Sequence, residues 1–168
     1  MVATALGLVL FPAMMAFAAS SDLLTMTISN RVSLTLIVGF FVLALIIGMS
    51  GSTMLWHVGA GSAVLAVAFT CFAMGWIGGG DAKLAAATAL WFGFDHLLPY
   101  LFYASLFGGA LTLGLLSFRA MPMPPLLASQ PWVQRLHHKD SGVPYGIALA
   151  AAALVVYPET LWIQGITS

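Results

Sequence analysis

Two aspartates stand out in a chain that carries almost no charge. Asp22 follows Ser20-Ser21 at the close of the first apolar run, and Asp81 follows Gly78-Gly79-Gly80 where a later apolar run is broken. Two carboxylates at one depth can share a proton, because like charges a few ångströms apart do not both ionise cheaply. The ionised member then takes a proton from water while its protonated neighbour donates to a scissile carbonyl, and the pair titrates as a unit. That is the chemistry of a two-carboxylate hydrolytic site. Each aspartate also has a plainer explanation. Asp81 suits the N-cap of the Ala-rich helix after the glycines, and Asp22 suits an interfacial polar loop. Shared depth decides between them, since ionisable residues inside a membrane usually carry function.

The residues around the aspartates add candidates of lesser specificity. Gly78, Gly79 and Gly80 lack side chains, so backbone there can pass close to an extended peptide. Lys83 is either a solvated cation or a counter-charge to Asp81 or to an acidic substrate residue. Arg31 is read as a topology determinant. His137-His138 are adjacent in a loop without further Cys or His at ligand spacing, so no metal site and no cofactor are expected. Ser20, Ser21 and Ser62 have no base near in sequence, which leaves a serine hydrolase without support. Cys71 is alone, so there is no disulfide framework and no C-x-x-C pair; inside an apolar run it reads as a small buried residue.

Composition dictates what must position these groups. Of 168 residues, 61% are hydrophobic and 6% are charged, whereas a soluble domain carries about 25% charged residues. Such a chain cannot cover a water-facing surface, and the lipid bilayer is its expected surroundings. Long apolar stretches without strict alternation favour membrane helices over a barrel. The formal net charge of zero leaves no basic patch to neutralise phosphates, so nucleic acid is not an expected partner.

The expected architecture is all-α and polytopic, a single domain over 1–168 with about six transmembrane helices. The segments run at about 2–19, 32–49, 54–77, 84–94, 99–118 and 144–162. Ala16-Phe17-Ala18 has the form of a leader-cleavage site, but no Lys or Arg precedes the first run as a secretory leader requires, so a retained helix is expected. The fourth segment, Leu84 to Phe94, is well short of the ~20 residues that span a bilayer. Arg119 to Val143, with Pro122, Pro124, Pro125 and Pro131 and several charges, reads as a loop outside the membrane. Trp56, Trp76, Trp91 and Trp162 fall near span ends, as an aromatic belt would, and Trp132 is placed near the same interface. His57 and His96 are expected at the opposite interface.

Six segments place Arg31, Lys83, Arg119, Arg135 and Lys139 on one side, and leave Asp95 and Glu159 on the other. The positive-inside rule makes the basic side cytoplasmic and puts both termini outside. Asp22 ends segment one and Asp81 begins segment four, so both lie at the cytoplasmic side.

At these residues the chain resembles a known family. Asp22-Leu23-Leu24-Thr25-Met26-Thr27-Ile28-Ser29-Asn30 is similar to the first motif of the type IV prepilin peptidases, in which an Asp is followed eight residues later by the Asn of an Ile-Pro-Asn segment. Gly78-Gly79-Gly80-Asp81-Ala82-Lys83-Leu84 matches the second motif intact, and Val143-Pro144-Tyr145-Gly146-Ile147-Ala148 also resembles the family. The chain looks like the short CpaA/TadV type, within the GxGD class of membrane aspartic proteases. The resemblance implies that Asp22 and Asp81 are the catalytic aspartates. Gly78, Gly79, Gly80, Lys83 and Asn30 are then site-shaping or substrate-binding. The implied reaction is removal of the leader of a type IV prepilin, of the Flp type, at the cytoplasmic face of the bacterial inner membrane. Ser29 departs from the usual Pro. Larger members carry a cysteine-rich domain and N-methylate the new pilin terminus, but Asn30 to Val32 leaves no room for that domain. The peptidase activity is therefore carried over and the N-methyltransferase is not. A proton-coupled transporter, with the same aspartates as a proton relay, is the alternative; an assembly subunit without catalysis is a third reading.

Overall fold

A segment in lipid must satisfy its own backbone N–H and C=O groups, and every apolar run here does so as a helix. The computed structural model describes residues 2–123 and 126–163, with side chains from Gly7 onward; Pro124 and Pro125 and both chain termini lie outside the described residues. The helices are α1 (Val2–Thr25), α2 (Asn30–Ile46), α3 (Gly51–Ala73), α4 (Gly79–Phe92), α5 (Leu97–Ala120), α6 (Pro131–His137) and α7 (Tyr145–Val156), the last followed by a 3-10 turn over Tyr157–Glu159. No strand occurs among the described residues. Three stretches are long and apolar enough to cross a membrane, Gly7–Thr25, Gly51–Ala73 and Leu97–Ala120, while Asn30–Ile46 and Tyr145–Glu159 are shorter apolar helices.

The short helix α4, 14 residues long, is the most enclosed of the bundle. α4 packs against α2, α3 and α7, and α7 in turn packs against α1 and α5. From Ala86 to Phe92 every residue of α4 is buried. Its Ala-rich sequence permits this, because small side chains bring helix axes close together. At Gly61 of α3 a methyl group would sit only 3.1 Å from Leu90 Cβ. A helix covered on these sides by protein does not need the length of a lipid-facing span.

Aromatic packing ties the bundle together at mid-height. Trp91 is fully buried, and its Nε1–H donates to the Leu36 carbonyl at 2.9 Å. Trp162 is buried beside it, and its Nε1–H donates to the Trp91 carbonyl at 2.7 Å. Phe11 stacks on Tyr157 with ring centroids 4.3 Å apart, and the Tyr157 hydroxyl donates to the Gly7 carbonyl. Phe11, Met15 and Ala18 have no exposed surface.

Several expectations are corrected here. Trp91 and Trp162 belong to the core, and only Trp56 and Trp76 among the four are exposed; the indole N–H groups that suit an interface are satisfied by backbone carbonyls instead. His57 is buried, not interfacial, and its Nδ1–H donates to the Leu90 carbonyl at 2.8 Å. The first helix does not stop at Ala19 but continues through the polar residues to Thr25. Ser20 and Thr25 return their hydroxyls to carbonyls one turn back, which is how hydroxyl side chains are accommodated in a helix.

Candidate active site

The two aspartates come from helix ends that meet. Asp22 lies in the last turn of α1 and is 5% exposed, so it is no member of an open polar loop. α1 closes with the Met26 N–H donating to the Asp22 carbonyl at 2.8 Å and with Met26 in the left-handed region, φ 56°. That conformation is costly for a side chain with a Cβ, and it reverses the chain directly after the aspartate. Ser21 Oγ donates to the Thr27 carbonyl across the turn at 2.8 Å. Ile28 is thereby brought against the start of α4.

Asp81 occupies the third position of α4, because Gly78 is the N-cap and the helix begins at Gly79. The expectation that Asp81 itself is the N-cap is corrected: its carboxyl instead reaches back toward the Gly78 amide, as an acid at the third helical position does. Each glycine of the run has a different neighbour. A methyl group on Gly78 would lie 2.9 Å from Asp81 Oδ2, one on Gly79 would lie 3.2 Å from the Phe72 ring, and one on Gly80 would lie 3.1 Å from Ile28 Cβ. The run is therefore a packing surface on which the α1–α2 turn and the Asp81 side chain both rest.

Asp22 and Asp81 line one cavity of about 680 Å³, together with Met26, Gly75, Trp76, Ile77, Gly78, Arg135, Ser141, Gly142, Val143 and Tyr145. The Asp22 rotamer is fixed from outside its own helix, where the Gly146 N–H donates to Asp22 Oδ2 at 2.7 Å. Gly146 is in the first turn of α7, where backbone N–H groups have no partner within the helix. A methyl group at Gly146 would stand 2.8 Å from that oxygen and 2.7 Å from Ile28 Cδ1, so the contact requires glycine.

The roof of the cavity comes from Arg135 in α6 and from residues 141–143 after it. Arg119 Nε donates to the Leu136 carbonyl at 2.7 Å and its Nη2 to the Gly142 carbonyl at 2.8 Å. Arg135 Nη1 donates to the Leu24 carbonyl at 2.7 Å, capping the end of the helix that carries Asp22. Arg135 is the one cation lining the aspartate cavity among the described residues. Sequence reasoning missed both Arg135 and Gly146 as parts of the site. The resemblance marked the segment around Gly146, but a hydrogen bond spanning 124 residues leaves no local pattern.

Asn30 and Lys83 are not in this cavity. Lys83 Nζ donates to Asn30 Oδ1 at 2.9 Å, and both residues line a separate groove on the other side of α4. The bond ties the first turn of α2 to α4, so both residues brace the α1–α2 turn, and Lys83 has Asn30 rather than Asp81 as its partner. Ser29, where the family motif has Pro, is the N-cap of α2 with φ −64°, and its hydroxyl accepts from the Arg31 N–H. No group of three or more His, Cys, Asp or Glu that would hold a metal ion is found among the described residues.

Residues 9–113 match the type IV leader peptidase family. The chain belongs to that family. Asp22 and the whole Gly78–Leu84 motif fall inside the matched stretch, whereas the Gly146 and Arg135 contacts come from beyond it. No curated protein and no solved structure gives a match to the chain. Its family and its apolar helices make it a membrane protein with leader peptidase activity. The match gives no support to the transporter alternative.

Proposed function

We propose that this leader peptidase is an aspartic endopeptidase in which Asp22 and Asp81 form the catalytic pair. The observation that carries the proposal is the shared cavity: two carboxylates from distant parts of the chain face one space, and one is held by the α7 N-terminus. With one proton between them, the ionised carboxylate takes a proton from a water molecule as that water attacks the scissile carbonyl. The protonated carboxylate donates to the carbonyl oxygen. Collapse of the tetrahedral intermediate returns a proton to the leaving amine, and the pair regains its single proton. Of the glycine run, Gly78 lines the cavity beside Asp81, where its backbone can lie against an extended peptide. The substrate is read as a type IV prepilin of the Flp type, cleaved at the cytoplasmic face of the bacterial inner membrane. Support for that side comes from the basic residues gathered at the aspartate end of the bundle.

The test is leader removal from a purified candidate prepilin by the full chain in detergent or nanodiscs. Asp22→Asn and Asp81→Asn should each lower the rate by at least about 10²-fold, the scale of a lost general acid or base, with helical content retained. The wild-type rate should show a bell-shaped pH profile, falling on the acid side as the last ionised carboxylate protonates and on the alkaline side as the shared proton is lost. Near-wild-type cleavage by either single variant would refute the pair.

A further inference from the structure

A second cavity, of about 690 Å³, opens between α2 and α3 with α4 as its floor. It shares none of its lining with the aspartate cavity. Its mouth, at the bundle end that carries the aspartates, is formed by Asn30, Arg31 and Lys83, and no carboxylate lines it. Below the mouth the walls are Leu34, Ile37, Phe41 and Leu65. Ser33, just inside, is 6% exposed, and its hydroxyl has no hydrogen-bond partner. Neither Arg31 nor Lys83 has a carboxylate within ion-pair distance among the described residues.

We propose that this groove binds one anionic phospholipid, its phosphate at Arg31 and Lys83 and an acyl chain along the α2 face from Leu34 to Phe41. Charge selects the head: two cations and Asn30 line the same end of the groove, and basic pockets between membrane helices recognise anionic headgroups. Depth selects the tail. From Arg31 to Phe41 is ten residues of helix, about 15 Å at ~1.5 Å per residue, half of the ~30 Å hydrocarbon core. The groove is therefore one leaflet deep. A spanning helix of a protein partner would need twice that length, and a free phosphate would make no use of the apolar walls. Because Lys83 is two residues from Asp81 on α4 and bonds Asn30, the bound headgroup sits directly behind the first turn that presents the aspartate.

Native mass spectrometry of the purified full chain tests this with phosphatidylglycerol and phosphatidylcholine of matched acyl chains. Phosphatidylglycerol should be retained several-fold over phosphatidylcholine, and the Arg31→Gln/Lys83→Gln variant should bring the two to parity. Ile37→Trp, which fills the tail groove, should weaken retention of both lipids. Glycerol phosphate or inorganic phosphate should not displace the lipid; displacement by either would overturn the acyl-chain part of the proposal. A photo-reactive residue at Leu34, in an otherwise native chain, reads the site even if the charge variant misfolds. It should capture phospholipid in membranes, and capture of a peptide helix instead would overturn the proposal, as would equal retention of the two lipids by the wild type.

Discussion

Asp22 is held by a backbone amide 124 residues further along the chain, and the side chain that is missing at Gly146 is what permits it. Gly146→Ala sets a methyl group 2.8 Å from the Asp22 carboxylate, closer than non-bonded atoms tolerate. The carboxylate must move, and a displacement near 1 Å at a reacting group can cost about 10²-fold in rate. The expected outcome is a kcat reduced by about 10-fold to 10²-fold with little change in KM, measured on a prepilin substrate. Thermal unfolding in detergent should fall by no more than the ~1–3 kcal/mol of ordinary overpacking. A wild-type kcat would show that the amide contact is not needed for catalysis. At this scale the aspartates were legible in the sequence as candidates, one closing an apolar run and the other opening the next run on the same, basic side. Gly146 and Arg135 gained their roles from contacts that only folding creates.

Helix ends decide what each motif does. The glycine run reads in the sequence as a break between segments, yet Gly79 and Gly80 are already helical and serve as a surface for Phe72 and Ile28. Likewise Ser20 to Thr25 reads as a polar loop by composition, but neighbouring backbone satisfies its hydroxyls and α1 runs on to deliver Asp22 into the cavity. Ser29 illustrates a departure from the family motif that the fold absorbs. Its φ of −64° is the value a proline ring imposes, and its hydroxyl supplies a cap that proline would lack. Ser29→Pro should therefore stay within about 1 kcal/mol of wild type, since loss of the cap costs about that much and the stiffer unfolded chain offsets part of it. Chemical or thermal unfolding of the purified variant checks this, and a drop of several kcal/mol would mean that the turn before α2 rejects proline.

Over the whole molecule, the bundle wraps lipid-facing helices around the short α4. Among the described residues, three helices have the length and apolarity of full spans; α2, α4 and α7 are shorter, and α4 and α7 are the two most deeply packed. Six crossings would place all five Lys and Arg residues on one side, and the orientation proposed on that basis can be checked. In a Cys71→Ala background, Lys139→Cys should be protected from a membrane-impermeant maleimide in intact cells, and Asp95→Cys should be labelled. The reverse pattern would invert the orientation and place the aspartate cavity outside.

Composition alone determined that the chain lives in a bilayer and is helical, because 6% charge cannot clothe a soluble surface and lipid leaves backbone groups no other partner. Two acidic motifs set beside glycine and polar breaks determined which residues to suspect. Tertiary structure decided the rest, since side-chain direction and helix-to-helix distance are long-range quantities. It turned Asp22 and Asp81 toward one cavity, set Gly146 and Arg135 around them, and sent Lys83 and Asn30 to the opposite face of α4.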